Sequence, residues 1–150
     1  MNRSNSGITV SDATLGQVKM SWNDFDRVVF HGTDDEASVS MFDGGRRIEG
    51  TVVTRDGDSF TGQITWGGDE AYTWEMLNGS IRGVEFHFEF SQIETIEAGR
   101  RGLSVTLTDG RTFDLTGGND MHPRRGVTIE TRDGRSVVPW SDFAELRLSN

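Results

Sequence analysis

A chain of 150 residues has room for one ordinary domain or two barrels of about 60 residues each, and nine Phe with four Trp can supply a core. A formal net charge of −9 argues against nucleic acid and against an anionic membrane surface, since both reward a basic stripe that the sequence lacks. The absence of cysteine excludes disulfides, thiolate metal sites and a cysteine nucleophile, and no apolar run approaches the ~18 residues of a membrane span.

Met1 to Ser6 lead straight into a strand pattern, so no signal peptide is read there. A secreted precursor shorn of its leader would read the same, which leaves the compartment open, periplasm and exterior included. Residues 7–30 then form a hairpin. Ile8 and Val10 alternate with Thr9 and Ser11, Leu15-Gly16 turns the chain, and Val18 to Trp22 returns it. Residues 31–46 are acidic and Gly-rich and read as a surface linker. Asp34, Asp35 and Glu36 there could hold a cation or form a solvated face.

A second hairpin, 47–67, turns at Asp56-Gly57; the same dipeptide recurs at Asp109-Gly110 and Asp133-Gly134. Each reads as a two-residue turn with positive φ at both positions. The β pattern then breaks. Asp69 caps a short helix near 69–77, with Ala71, Trp74 and Leu77 on one face and Asn78-Gly79 as its stop. That helix either plugs a barrel end or presents Trp66, Asp69, Glu70, Tyr72 and Trp74 as an aromatic, acidic ligand surface for a glycan or a cation. Val84, Phe86, Phe88 and Phe90 alternate with Glu85, His87 and Glu89 in a half-buried strand. Ala98 to Gly102 form a Gly-rich break. Segments 103–109, 111–116, 126–132, 135–140 and 144–148 read as strands, with the 117–125 loop between the second and third of them.

One pattern occurs three times: Met20 to Val28, Phe88 to Ile96 and Val138 to Leu146. Each ends a strand on an aromatic, follows it with Asn23, Ser91 or Ser141, and resumes on Phe25, Ile93 or Phe143. The polar residue is expected to cap one short 3₁₀ turn, after which the chain continues as a strand. Strand, single helical turn, strand is how SH3-like and Sm-like barrels close their last corner. The repeat extends further: Gly7-Ile8-Thr9-Val10 aligns with Gly126-Val127-Thr128-Ile129, and Gly16 with Gly134.

The fold expected is therefore all-β, two small SH3-like antiparallel barrels in tandem with one short helix near 69–77. The first module spans 7–98 (hairpin 7–30, linker 31–46, core 47–98) and the second 103–149. Segment 103–148 can close a barrel alone, whereas 47–97 needs the N-terminal hairpin or a strand from another chain.

Gly50 to Gly57, Thr61 to Trp66, Asp69-Glu70 and Leu77-Asn78-Gly79 resemble an uncharacterised group of bacterial repeat proteins built of small SH3-like or Sm-like β-barrels. The resemblance implies that 47–148 is one complete unit and 7–30 the closing hairpin of a preceding one. It implies no activity.

Catalytic signatures are not read. There is no Gly-x-Ser-x-Gly elbow, P-loop or dinucleotide fingerprint, and His31, His87 and His122 lie on separate elements. Glu85, His87 and Glu89 share one side of a strand and are the weak metal candidates; Asp120 and His122 share a loop. No cofactor is implied. The expectation is a non-enzymatic interaction or assembly module that pairs strand edges and buries aromatics, with a protein partner or self-association through Ile8, Val10, Val18, Met20 and Trp22. The alternatives are a module binding a small glycan or cation at 66–77 and a metal-dependent hydrolase.

Overall fold

Alternation along the chain becomes alternation of burial. In the strand Leu103–Leu107, Leu103, Val105 and Leu107 are buried while Ser104 and Thr106 are not. A computed structural model describes residues 7–30, 45–117 and 125–149. Its strands are β1 (Gly7–Asp12), β2 (Gly16–Ser21), β3 (Glu49–Thr54), β4 (Ser59–Thr65), β5 (Met76–Ile81) and β6 (Val84–Glu89), then β7 (Ile93–Ala98), β8 (Leu103–Leu107), β9 (Thr112–Leu115), β10 (Gly126–Thr131), β11 (Gly134–Pro139) and β12 (Phe143–Leu148). Among the described residues the only helical element is a 3₁₀ turn, Phe90–Gln92. The chain is all-β.

Two antiparallel sheets result. The smaller runs β1-β2-β6-β5 and the larger β11-β10-β4-β3-β12-β7-β8-β9. Neither closes into a barrel, which corrects that expectation. The larger sheet draws on both sides of the 99–102 break: β12 lies between β3 and β7, and β10 lies on β4. Ser80 joins the two sheets by donating its N–H to the Gly117 carbonyl (2.7 Å) and accepting from the Thr116 N–H (2.9 Å). They share one core, in which Phe113 lies 5.5 Å from Phe86 and 5.1 Å from Phe88 between ring centroids. Gly79 permits the contact, because a Cβ there would sit 2.4 Å from a Leu115 methyl.

Local expectations fare unevenly. The helix near 69–77 does not form. Residues 67–75 are turns and isolated bridges, and from Met76 the chain is strand, paired with β6 over Met76 to Ile81. Two helical turns are marginal alone, whereas the strand buries Leu77 and completes a six-pair ladder. The turn with positive φ at both central residues is Arg82-Gly83 (51° and 86°). At Asp56-Gly57 and Asp109-Gly110 only the glycine is left-handed (94° and 86°). Those loops are longer: the Leu107 N–H reaches the Arg111 carbonyl and the Gly110 N–H the Leu107 carbonyl, the pattern of a type I turn closed by a glycine bulge.

The corners at 90–92 and 140–142 carry the chain into β7 and β12 as expected, but not through serine caps. The 3₁₀ turn has no side-chain cap, and Ser91 Oγ donates to Glu89 instead. Backbone bonds close the other two turns, from the Asp24 N–H to the Ser21 carbonyl and from the Asp142 N–H to the Pro139 carbonyl. After the first corner no strand follows: residues 25–30 pair with no strand among the described residues.

Candidate functional site

The aromatic and acidic residues near 66–77 divide between core and surface. Trp66 has no exposed area and packs against Trp140 (4.8 Å), Phe143 (5.4 Å) and Phe90 (6.4 Å), so it cannot stack on a ligand from solvent. Gly67 and Gly68, both left-handed, fold the chain back so that Trp66 and Glu70 bridge. Asp69 at this turn pairs with Arg125 at 2.9 Å. The Glu75 carboxylate accepts the N–H groups of Ala71 and Tyr72, which fixes the next bend. Only Tyr72 and Trp74 remain as a surface pair, 40% and 46% exposed and stacked 6.5 Å apart at 22°. Arg47 lies over the Tyr72 ring at 5.5 Å.

The polar face of the smaller sheet carries Glu85, His87 and Glu89, as their two-residue spacing requires. His87 Nδ1 is bonded to Asn78 Oδ1 directly across the β5–β6 ladder, and Glu89 accepts from Ser91. His87 Nε2 is 4.0 Å from Glu85 and makes no hydrogen bond among the described residues. No three His, Asp or Glu side chains gather into a metal-holding group among the described residues. His31, Asp34, Asp35, Glu36, Asp120 and His122 lie outside them, as does most of the 31–46 linker.

The N-terminal hairpin packs on its own chain. Gln17, Val18 and Lys19 of β2 pair with His87, Phe86 and Glu85 of β6. Its tip is anchored as well. The Asp12 carboxylate accepts the Thr14 hydroxyl (2.7 Å) and the N–H groups of Thr14 (2.8 Å) and Leu15 (2.9 Å), and Arg111 donates to Thr14 Oγ1 at 2.6 Å. Those hydrogen bonds from Thr14 and Leu15, with Arg111 nearby, hold the Asp12 carboxyl below the usual carboxylate range. Asp109 is lowered too, chiefly by its bonds to Arg111. Leu15 packs on the core.

Away from the tip the hairpin keeps apolar side chains partly exposed. Among the described residues β1 has β2 on one side and no strand on the other. Val10 is 42% exposed although it shares the core-facing row with Val18 and Phe86. Ile8 and Met20, on the same face, are half-buried, as is Val18. Beyond β2, Trp22 is 48% exposed and meets Phe25 edge-on, 5.6 Å apart at 90°. Val29 and Phe30 follow, and Phe30 is 92% exposed. The sequence reading passed over these two; their signal is the apolar run Val28-Val29-Phe30 just before the acidic stretch.

A polar cleft of about 520 Å³ opens where β4 and β10 diverge beyond the Gln63–Glu130 pair. Glu49, Thr61, Gln63, Glu130 and Arg132 line it, a mixture without a charge sign that selects a ligand. The concentration on 7–30 of exposed apolar surface and of a strand edge with no partner strand among the described residues makes that hairpin the candidate site. Comparisons with protein-family models, curated proteins and solved structures find no match to this chain.

Proposed function

We propose that the chain is a non-enzymatic β-sheet interaction module that associates through the free edge of β1 and buries Val10, Trp22 and Phe30 in doing so. The observation that carries this is a strand edge with no partner strand among the described residues, beside partly exposed Trp22 and exposed Phe30, a combination that monomeric proteins usually cover or charge. Among the described residues, Asp69 holds Arg125, Glu75 fixes a bend, and His87 bonds Asn78. An SH3-like relationship belongs to the same reading, supported by the strand–3₁₀–strand corner at 88–96.

Light scattering across a concentration series tests it. The expected result is reversible association, lost in Val10→Lys because the added charge sits on the apolar face of the edge strand. A strict monomer at every concentration, unchanged on deletion of residues 1–33, would overturn it.

A second reading rests on the stacked, exposed Tyr72–Trp74 pair, which could lie under a sugar ring. Tryptophan fluorescence titrated with glycans decides it: a response that survives Trp74→Ala removes this site.

A further inference from the structure

Among the described residues the two sheets end on β5, β9, β11 and β1. Three of these edges are guarded. Ser80 of β5 bonds to the Gly117 and Thr116 backbone, β9 is only four residues long and carries Asp114, and β11 carries exposed Arg135 and ends on Pro139. Residues 7–11 of β1 hold no charge and no proline.

The direction of the β1 backbone follows from its neighbours. A Cβ on Gly7 would meet the Met20 carbonyl oxygen at 1.9 Å, so that carbonyl points across to β1. A Cβ on Gly16 would meet the His87 carbonyl oxygen at 2.2 Å, on the side where Gln17 and Lys19 pair with β6. Bonding direction alternates along a strand, so Val18 and Met20 exchange their bonds with Val10 and Ile8. Gly7, Thr9 and Ser11 therefore turn their N–H and C=O groups to the side with no strand among the described residues. Side chains stop at the same line. The core-facing row Phe86–Val18–Val10 ends at this edge with Val10 42% exposed, and the row Met20–Ile8 ends beside it.

We infer that β1 is the two-fold interface of a homodimer, in which a second copy lays its own β1 antiparallel on the first with Thr9 opposite Thr9. This rests on the assembly reading above and names its partner and register. Thr9 would exchange both backbone bonds with Thr9 of the second copy, and Gly7 would do so with Ser11 at either end. Val10 would lie opposite Ile8 of the second copy, so the row Phe86–Val18–Val10 would run on into Ile8 and Met20 across the axis. The same match repeats on the other side of the axis, which is why the strand complements itself. Two acidic chains can meet here because residues 7–11 bring no like charges together. A slip of one residue would turn apolar side chains to the polar face. An axis through Val10 would instead set Ile8 against Asp12, whose carboxylate is held by the hairpin tip.

The chain has no cysteine, so single thiols report the geometry. Thr9→Cys would place the two Cα atoms about 5.5 Å apart across the axis, within disulfide reach. Ser11→Cys would place them roughly 14 Å apart, beyond it. Both positions are exposed, so neither substitution disturbs the core. In a glutathione redox buffer the full-length Thr9→Cys chain should cross-link to dimer at least tenfold faster than Ser11→Cys, and adding Val10→Lys should abolish the difference. Equal rates for the two thiols, or a Thr9→Cys rate that ignores Val10→Lys, overturns the two-fold pairing. If either occurs while light scattering still shows association that Val10→Lys removes, the assembly reading stands and only this partner geometry falls. A strict monomer unchanged on deletion of 1–33 removes both.

Discussion

The corner at 140–143 and the corner at 22–25 hold the same ring pair in the same edge-on geometry, yet the first packs into the core and the second is partly open to water. Trp66 and β4 lie against the first and leave Phe143 with no exposed area, whereas at the second Trp22 is 48% exposed and Phe25 half-buried. The difference separates two contributions that usually come together. Local sequence sets the hairpin ladder, the turn and the angle between the rings. Burial is set by distant strands, and most of the stabilisation comes with burial.

The contrast is broken most forcefully by truncating the buried corner. Phe143→Ala should cost about 3–5 kcal/mol in urea unfolding, because the ring is fully buried against Trp66. The matched Phe25→Ala should cost about 1 kcal/mol or less in the isolated chain. Equal costs would mean that the first corner is covered after all. Next in size, Arg111→Ala should free the hairpin tip from the β8–β9 turn and speed amide exchange across 7–21 while leaving β10–β11 protected.

A smaller, graded effect comes from acid. Asp12 and Asp109 are both lowered from 3.8, so they favour the folded tip above that pH and lose their contribution as pH falls through their depressed values. Both are exposed, so salt should screen the effect. Acidification below 3.8 should therefore loosen β1–β2 before β10–β11, seen as earlier exchange at the Thr14 and Leu15 amides. Smallest of all, Tyr72→Ala should change stability by only about 0.5 kcal/mol, since its ring is 40% exposed and rests against the partly exposed Trp74 and Arg47.

Much of the hairpin plan was legible, since it is written in neighbours. Ile8 and Val10 alternate with polar residues, the alignment of Gly7 with Gly126 holds in the ladders, and 90–96 makes its turn into a strand. Three kinds of information were not. The three-residue spacing of Ala71, Trp74 and Leu77 suggested a helix, but pairing with β6 across Arg82-Gly83 decided the matter, and that pairing competes only once the chain is folded. The placement of β12 between β3 and β7 joins residues far apart in sequence, so the single larger sheet could not be read from periodicity. Trp66 and Trp74 look alike as letters; Trp140 and Phe143 make the first a core residue and leave the second a surface one. The hairpin residues Ile8, Val10, Val18, Met20 and Trp22 were identifiable as candidates by alternation. Their uneven exposure became visible only once β2 was seen to use its outer edge on β6.

Residue-resolved hydrogen exchange on the full chain as a function of protein concentration tests the central claim most directly. The account predicts slowed exchange confined to β1 as the edge becomes covered, with β11 unchanged. Protection that arises instead along Gly134–Pro139, or association that leaves the β1 amides exchanging as freely as before, would contradict it.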